Sequence, residues 1–523
     1  MRYSGTYDLL IVGGGINGAG IARDAAGRGL SVLLCEQDDL AAHTSSASTK
    51  LIHGGLRYLE HLQFSLVRKA LIEREILLAS APHLMRPLRF VLPHDAHLRP
   101  AWMIATGLFI YDHLARRRHL PGSARIDLRR HAAGAPLKPQ YARGFVYSDG
   151  WTDDARLVVL NAVDARERGA DILTRTRCEK LESARGQWTA TLAAASGRQR
   201  VIARAVVNAT GPWVSSFAHA ASPASVCHSV RLVKGSHIVV PRLFAHRFAY
   251  LFQNEDQRIV FAIPYQREFT LIGTTDVEYT GDPAAVQIDA EEVRYLCDAV
   301  SRYFAKPVSP EDVVWSYSGV RPLLDDESKN PASVTRDYAL ELDRQPAPLL
   351  TVFGGKITTY RKLAESAVDM LARELGATAT GAWTAHALLP GGDLPGGTYA
   401  GFLRSLERAY PWLPAELRYR YAHAYGTRVA HILDGAGSLA DLGEELLPQL
   451  YEREVAYLCR VELAQTAEDI LWRRTRLGLH VGGAGLGGAG VARLQEWLAC
   501  RGLPPGASDA GHDQAGRPLT SAG

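Results

Sequence analysis

The spacing of apolar residues changes character within the first thirty-six positions. Asp8–Val12 reads as a short apolar run of strand length, and Gly13-x-Gly15-x-x-Gly18 follows at once. An alanine-rich segment with helical spacing then runs to Gly29, and Ser31–Glu36 is a second strand pattern. Strand, glycine turn, helix and strand in that order predict one βαβ unit. In such a unit Gly13 permits the tight turn, Gly15 lets backbone N–H groups approach a pyrophosphate, and Gly18 lets the helix sit close on the sheet. Leu66–Ala81 has helical spacing again, whereas Pro82–Gly150 is broken into pieces by proline. Inside that stretch, Ala101–His119 joins the mostly apolar run Ala101–Tyr111 to three consecutive arginines. Strand patterns return at Asp171–Leu173, Trp188–Ala193 and Val201–Val207, with a Ser196-Gly197 turn between the last two, and the chain then reaches Gly211. Val230–Arg242, Arg258–Pro264, Phe269–Thr275 and Leu349–Phe353 are further strands, and a helix is expected through Thr359–Leu375. From about Pro390 to Leu498 the spacing is helical, and Pro504–Gly523 has the composition of a disordered tail.

Length and charge narrow the class. At 523 residues the chain is too long for one compact core, and its 47% hydrophobic content fits a folded globular protein. A formal net charge of +4 in a chain this size gives no general affinity for nucleic acid. Six scattered cysteines with no CxxC pair argue against a disulfide framework or a zinc ribbon, so a reducing compartment and no metal are expected. The start MRYSGTYDLL lacks the basic and long apolar regions of a signal peptide, and no window approaches the length of a spanning helix. Ala101–His119 does suit a helix lying in a membrane interface, with its arginines on anionic headgroups. A helix buried between domains, with a basic solvated end, explains it equally well.

The candidate chemistry begins with Gly13, Gly14, Gly15, Ile16, Asn17 and Gly18, a backbone cradle at a helix N-terminus. Glu36 ends the second strand, where its carboxylate can accept from ribose hydroxyls and repel a 2′-phosphate, which favours FAD or NAD over NADP. The segment His43–His61 is dense in hydroxyls, histidines and glycines. Ser45, Ser46, Ser48 and Thr49 there can donate to pyrophosphate oxygens, and Gly54-Gly55 can let the backbone pass close to a flat ring. A solvated Ser/Thr loop accounts for the same composition.

The blocks IVGGGINGAGIARDAAGRGLSVLLCE, TSSASTKLIHGGLRYLEH, NATGPW, RLVKGSHIVVP, IGTTDVEY, YSGVRPL, TRDY and FGGKITTYRKLAE, with LPGG at Leu389–Gly392 and ILWRRT at Ile470–Thr475, cover nearly the whole chain. They resemble the FAD-dependent sn-glycerol-3-phosphate dehydrogenases, in their aerobic, membrane-associated bacterial form. The resemblance implies an α/β fold in which a Rossmann-like FAD-binding domain carries an inserted antiparallel β-rich substrate domain and is followed by a C-terminal helical domain. The expected boundaries are 1–81, 150–229 and 318–380 for the FAD domain, 82–149 and 230–317 for the substrate and membrane-facing domain, 381–503 for the helical domain and 504–523 for the tail.

It also implies a flavoprotein that oxidises sn-glycerol 3-phosphate to dihydroxyacetone phosphate and passes electrons to a membrane quinone, attached peripherally to the cytoplasmic face of the cell membrane. No nucleic acid is expected as a partner, and a homodimer is an allowed assembly. Non-covalent FAD would be held by the Gly13–Gly18 cradle, Glu36, Thr44, Ser45, Ser46, Lys50, His53, Gly211 and Gly354-Gly355-Lys356-Ile357-Thr358. The last of these opens a helix whose backbone donors would face the flavin edge that gains negative charge on reduction. A strand-to-helix turn without a ligand is its bland alternative.

A phosphorylated alcohol offers a dianion to hold, and guanidinium forks bind phosphate oxygens in pairs. Arg57, Tyr58, Arg321, Arg336 and Lys356 lie inside the matching blocks and are the expected substrate contacts. Hydride transfer from an alcohol also needs a base for the hydroxyl proton, for which His53 and His237 are the candidates, and Arg321 can polarise the alkoxide. Two rival functions remain: an oxidase in which oxygen takes the electrons, and a non-catalytic flavin-binding module.

Overall fold

Leu9, Leu10 and Ile11 of the strand β1 (Thr6–Val12) have no exposed surface, as a strand central to a parallel sheet requires. The computed structural model, which describes residues 5–95, 98–221, 230–256, 258–324, 337–377, 380–481 and 489–501, places β1 between two parallel neighbours, β2 (Val32–Cys35) and the strand Gly197–Asn208. Arg336, Cys227 and the tail Pro504–Gly523 lie outside the described residues. Leu349–Phe353 extends the sheet in parallel beside Gly197–Asn208, and Asp171–Leu173 does so beside β2. Between β1 and β2 runs the helix α1 (Ile16–Gly27). A Cβ on Gly18 would lie 1.9 Å from the carbonyl oxygen of Gly13, so only glycine lets α1 begin this close to the turn.

The helix Asp154–Glu167 packs on α1, as does the helix Tyr360–Glu374. Amphipathic spacing does not reveal Asp154–Glu167, because it is buried on nearly every side. Its start is set by the Asp153 carboxylate, which accepts from the Arg156 N–H. The strands Arg177–Ala184, Gln187–Ala194 and Gly197–Asn208 form the expected antiparallel crossover into the parallel sheet.

A second, mainly antiparallel sheet contains Val230–Pro241, Phe269–Gly273, Ile259–Tyr265 and Ala249–Gln253 in adjacent positions. It continues into the stretch that proline appears to break. Met85–Pro93 pairs with Arg143–Thr152 from Met85 opposite Thr152 to Pro93 opposite Gly144. Pro87 is tolerated there because the neighbour on its other side, Ala249–Gln253, pairs only at Phe90 and Val91. On the far side of Val230–Pro241 runs Trp315–Leu324. The expected boundaries at 149/150 and 317/318 therefore fall inside single strands of this sheet.

The chain divides into two compact units, the first formed by Met1–Ala79 and Met85–Ala387 and the second by Ser80–Leu84 and Leu388–Gly523. The second unit is built on helices Tyr399–Ala409, Ala415–Tyr425, Glu452–Arg460 and Ala489–Arg501 around their own apolar core. Its helical reading needs one correction, the hairpin Glu445–Leu447 with Leu450–Tyr451. Pro448 and the left-handed Gln449 reverse the chain there, which a helix could not accommodate.

Gly18→Ala forces a side chain onto backbone and should destabilise the fold by about 1–3 kcal/mol or more. Gly107→Ala, at an open position in the helix Ala101–His113, should hold or raise stability by about 0.5–1 kcal/mol. Thermal unfolding of the two variants beside the parent chain checks the contrast.

Candidate active site

The glycine cradle is tied to the end of β2 by one carboxylate. Glu36 Oε2 accepts from the Gly14 N–H at 2.7 Å and Oε1 from the Asp38 N–H at 2.9 Å. Burial pushes this carboxyl above the usual carboxylate range, and the two backbone donors oppose that shift. Glu36 thus braces the loop as well as standing where a ribose would lie, with lone pairs left over to accept further hydrogen bonds. Gly15 caps α1 without a side-chain bond, so the helix presents backbone N–H groups and the positive end of its dipole. The Oδ1 of Asn17 is buried with no hydrogen-bond partner among the described residues, while its Nδ2 donates to the carbonyl of Gly354 at 3.2 Å. That contact brings the Gly354–Thr358 loop onto the cradle. A helix N-terminus with its first N–H held by Ser45, an orphaned amide oxygen and a second glycine loop beside them fit a dinucleotide.

The hydroxyl-rich segment is spoken for more fully than its composition implies. Ser45 Oγ accepts from the Ile16 N–H at 3.0 Å, which keeps it at the cradle. Ser46 Oγ donates to the His43 carbonyl, Ser48 Oγ donates to Asp154, and Thr44 Oγ1 donates to the Val320 carbonyl. Lys50 is withdrawn from any ligand: its ammonium is 2.8 Å from Asp154 Oδ1, and neither side chain has exposed surface. Ser46, Ser48 and Thr49, expected to donate to pyrophosphate, and Lys50, expected to hold the cofactor, thus each have a protein partner already. Gly54 and Gly55 also change meaning. The Cβ position of Gly54 is filled by the Tyr111 hydroxyl and that of Gly55 by the Tyr58 ring, so the flat rings they admit belong to the protein.

On the substrate side, strand register sets His237 opposite Tyr317, and Arg321 opposite Val233. His237 has no exposed surface, stacks on the Tyr317 ring at 4.8 Å, and shares a 2.9 Å hydrogen bond between Nε2 and Thr49 Oγ1. Its Nδ1 has no partner among the described residues. Burial, and then the cations Arg321 and Lys50, hold this imidazole well below its ordinary range, so it is neutral. Arg321 pairs with Asp276, donates to Thr274 Oγ1 at 2.8 Å, and keeps a quarter of its side chain exposed.

A third group forms around the His53–Tyr58 loop. The His53 N–H donates to Thr358 Oγ1 at 3.2 Å, and the Lys356 ammonium lies 4.0 Å from the centre of the Tyr58 ring. Arg57 is half-buried and has no hydrogen-bond or ion-pair partner among the described residues. Gly211 opens a short turn, Gly211–Trp213, packed against Trp315–Leu324, and Ile357 is half-buried beside Lys356. Glu36, Asp38 and His43 are close enough to bracket a metal ion, but Glu36 is engaged by two amides and His43 by Asp38. Thr274 and Asp276 stand in the block IGTTDVEY and Tyr317 in YSGVRPL, but nothing local marks the first two as partners of Arg321. Nothing local marks Asp154 or Tyr111 as partners of this loop.

Residues 8–361 match the family model described as FAD dependent oxidoreductase, and residues 382–489 match the C-terminal domain of alpha-glycerophosphate oxidase. The chain is 57% identical to a glycerol-3-phosphate dehydrogenase of Pseudomonas aeruginosa, over 91% of this chain and 92% of that protein. It is 51% identical to a D-erythritol 1-phosphate dehydrogenase of Brucella abortus, over 91% of this chain and 95% of that protein. Among solved structures it resembles the glycerol-3-phosphate dehydrogenase from Bacillus halodurans complexed with FAD, with a TM-score of 0.73, 28% identity, and coverage of 95% of this chain and 90% of that one.

The neutral state of His237 has a measurable consequence. Below about pH 6.5 an unfolded histidine takes up a proton that the folded His237 refuses, so the unfolded state binds more protons. The stabilisation is fully present above that pH and declines as the pH falls through it. Urea unfolding between pH 7.5 and 5.5 should show this loss, approaching about 1.36 kcal/mol per pH unit for one proton. His237→Gln should be less stable at pH 7.5 yet have a shallower acid slope.

Proposed function

This chain belongs to the FAD-dependent glycerol-3-phosphate dehydrogenases, and on that premise we propose which of its residues carry the oxidation. The protein is an FAD-dependent oxidoreductase that converts sn-glycerol 3-phosphate to dihydroxyacetone phosphate. In this reading the Gly13–Gly18 cradle, Glu36, Ser45, Asn17 and the Gly354–Thr358 loop hold the cofactor. When bound, FAD accepts the hydride from C2 of the substrate. Arg57, Lys356 and Arg321, with Arg336, grip the phosphate dianion, and His237 takes the C2 hydroxyl proton, with His53 the second candidate. The observation that supports the phosphate grip best is Arg57. The buried cations Arg23, Arg28, Lys50, Arg74 and Arg361 each have a carboxylate, whereas Arg57 is half-buried with none among the described residues. A desolvated guanidinium left unpaired is costly unless an anionic ligand answers it.

A second substrate reading comes from the Brucella relative. These cations would recognise a phosphate and not the length of the polyol, so D-erythritol 1-phosphate is the alternative to test. For the acceptor we favour a membrane quinone. No helix among the described residues is long and apolar enough to cross a membrane. Among the described residues seven large apolar side chains are nevertheless exposed, and five of them, Leu62, Phe64, Trp102, Met103 and Phe109, belong to the helix Ala101–His113 or follow the turn Leu56–His61 that packs on it. The helix stops at His113, so Arg116, Arg117 and Arg118 lie beyond it in the following loop. An exposed apolar face followed by arginines supports peripheral attachment to anionic lipid. Oxygen as acceptor is the rival, distinguished by peroxide release in air.

Anaerobic addition of glycerol 3-phosphate should bleach the bound flavin, and D-erythritol 1-phosphate should do so with a lower kcat/KM; the reverse order would assign the second substrate. Arg321→Ala and Arg57→Ala should each lower kcat/KM by roughly two to three orders of magnitude without loss of flavin. An unbleached flavin would remove the catalytic reading altogether. For the surface, the double variant Trp102→Ser with Phe109→Ser should sediment less with anionic vesicles than the parent protein, and equal sedimentation would move the attachment elsewhere.

A further inference from the structure

The hydroxyl of Tyr111 is buried at the inner side of the helix Ala101–His113, whose outer side carries Trp102 and Phe109. It accepts from the Gly54 N–H at 2.8 Å and donates to the Asp149 carboxylate, whose oxygens stand 2.8 and 2.9 Å away. Asp149 is paired in turn with Arg74 at 2.7 Å, and Arg74 also donates to the Ser148 carbonyl. Burial raises the Tyr111 pKa well above the ordinary phenol range, so the hydroxyl keeps its proton. Residue 54 must be glycine for this contact, since a Cβ there would lie 2.6 Å from the hydroxyl and 2.5 Å from Leu71 Cδ2.

The preceding amide, of His53, is taken by Thr358 Oγ1. Two successive N–H groups of one irregular segment are therefore held by hydroxyls from two different parts of the fold. Immediately beyond them Gly55 turns left-handed, at φ +78°, and the short helix Leu56–His61 begins with Arg57 and Tyr58 on it. The Tyr58 N–H closes the turn on the Gly55 carbonyl at 2.9 Å, and its ring carries Lys356.

We propose that Tyr111 is a positioning residue for the oxidation: backed by Asp149 and Arg74, its hydroxyl fixes the Gly54 amide and thereby the placement of Arg57. This rests on the reading that Arg57 grips the substrate phosphate. Tyr111→Phe keeps the ring and its packing but leaves the Gly54 N–H only the Asp149 Oδ1, 3.4 Å away, as acceptor. The loop then relaxes while the helix stays in place.

The test is a double-mutant cycle on the purified holoenzyme with glycerol 3-phosphate as substrate, using Tyr111→Phe, Arg57→Ala and both together. Tyr111→Phe should raise KM about tenfold with kcat within about twofold and flavin content unchanged. In the Arg57→Ala background it should add nothing, because the group it places is gone. A parental KM for Tyr111→Phe overturns the proposal, and so does an increase in KM that multiplies with that of Arg57→Ala, which is the behaviour of a residue that only stabilises the fold. A parental KM for Arg57→Ala alone separately defeats the phosphate reading on which the proposal stands.

Discussion

The placement of the site depends on one ion pair that water does not reach. Lys50 and Asp154 meet at 2.8 Å with no exposed side-chain surface on either. Removing one partner of such a pair typically costs about 3–5 kcal/mol, because the other charge is left buried and uncompensated. Asp154 begins the helix that packs on α1, and Lys50 ends the hydroxyl-rich segment that crosses from the nucleotide cradle to the second sheet. The same carboxylate accepts from the Ser48 hydroxyl and N–H, and the same ammonium donates to the Ser46 carbonyl and lies 5.0 Å from the Tyr317 ring centre. One charge pair thus anchors a segment whose neighbours on either side are the glycine cradle and His237.

The electrostatics divide the cations by task. Several buried cations are matched: Arg23 with Asp164, Arg28 with Asp24 and Asp369, Arg74 with Asp149, and Arg361 with Glu73 and Glu365. Those proposed for the substrate keep partial exposure. Lys356 rests on an aromatic face, Arg321 shares a carboxylate and a threonine hydroxyl, and Arg57 has neither among the described residues. Burial first, and then the nearby Arg321 and Lys50, keep His237 unprotonated.

Local chemistry was enough to determine the βαβ unit, because strand, glycine turn and helix obey short-range sterics: Gly18 is required by an atom only five residues away. The same holds for the boundaries of Asp171–Leu173 and Leu349–Phe353, which the apolar runs delimit to the residue. The resemblance carried by the longer blocks added the flavin, the phosphorylated alcohol and the residues of the site, down to Arg57, His237 and Arg321. What only the tertiary structure decided is which polar side chains are already engaged. Ser48 and Lys50 look like ligands for pyrophosphate until Asp154, more than a hundred residues away, is found against them. Gly54 looks like room for a flavin until Tyr111 is found in that room. The proline-broken stretch looks irregular until Met85–Pro93 and Arg143–Thr152, separated by the helix Ala101–His113, pair along their length. In each case the deciding partner is distant in sequence. A hydrogen bond or a van der Waals contact acts over a few ångströms of space, whereas periodicity and turn chemistry report only on neighbours along the chain.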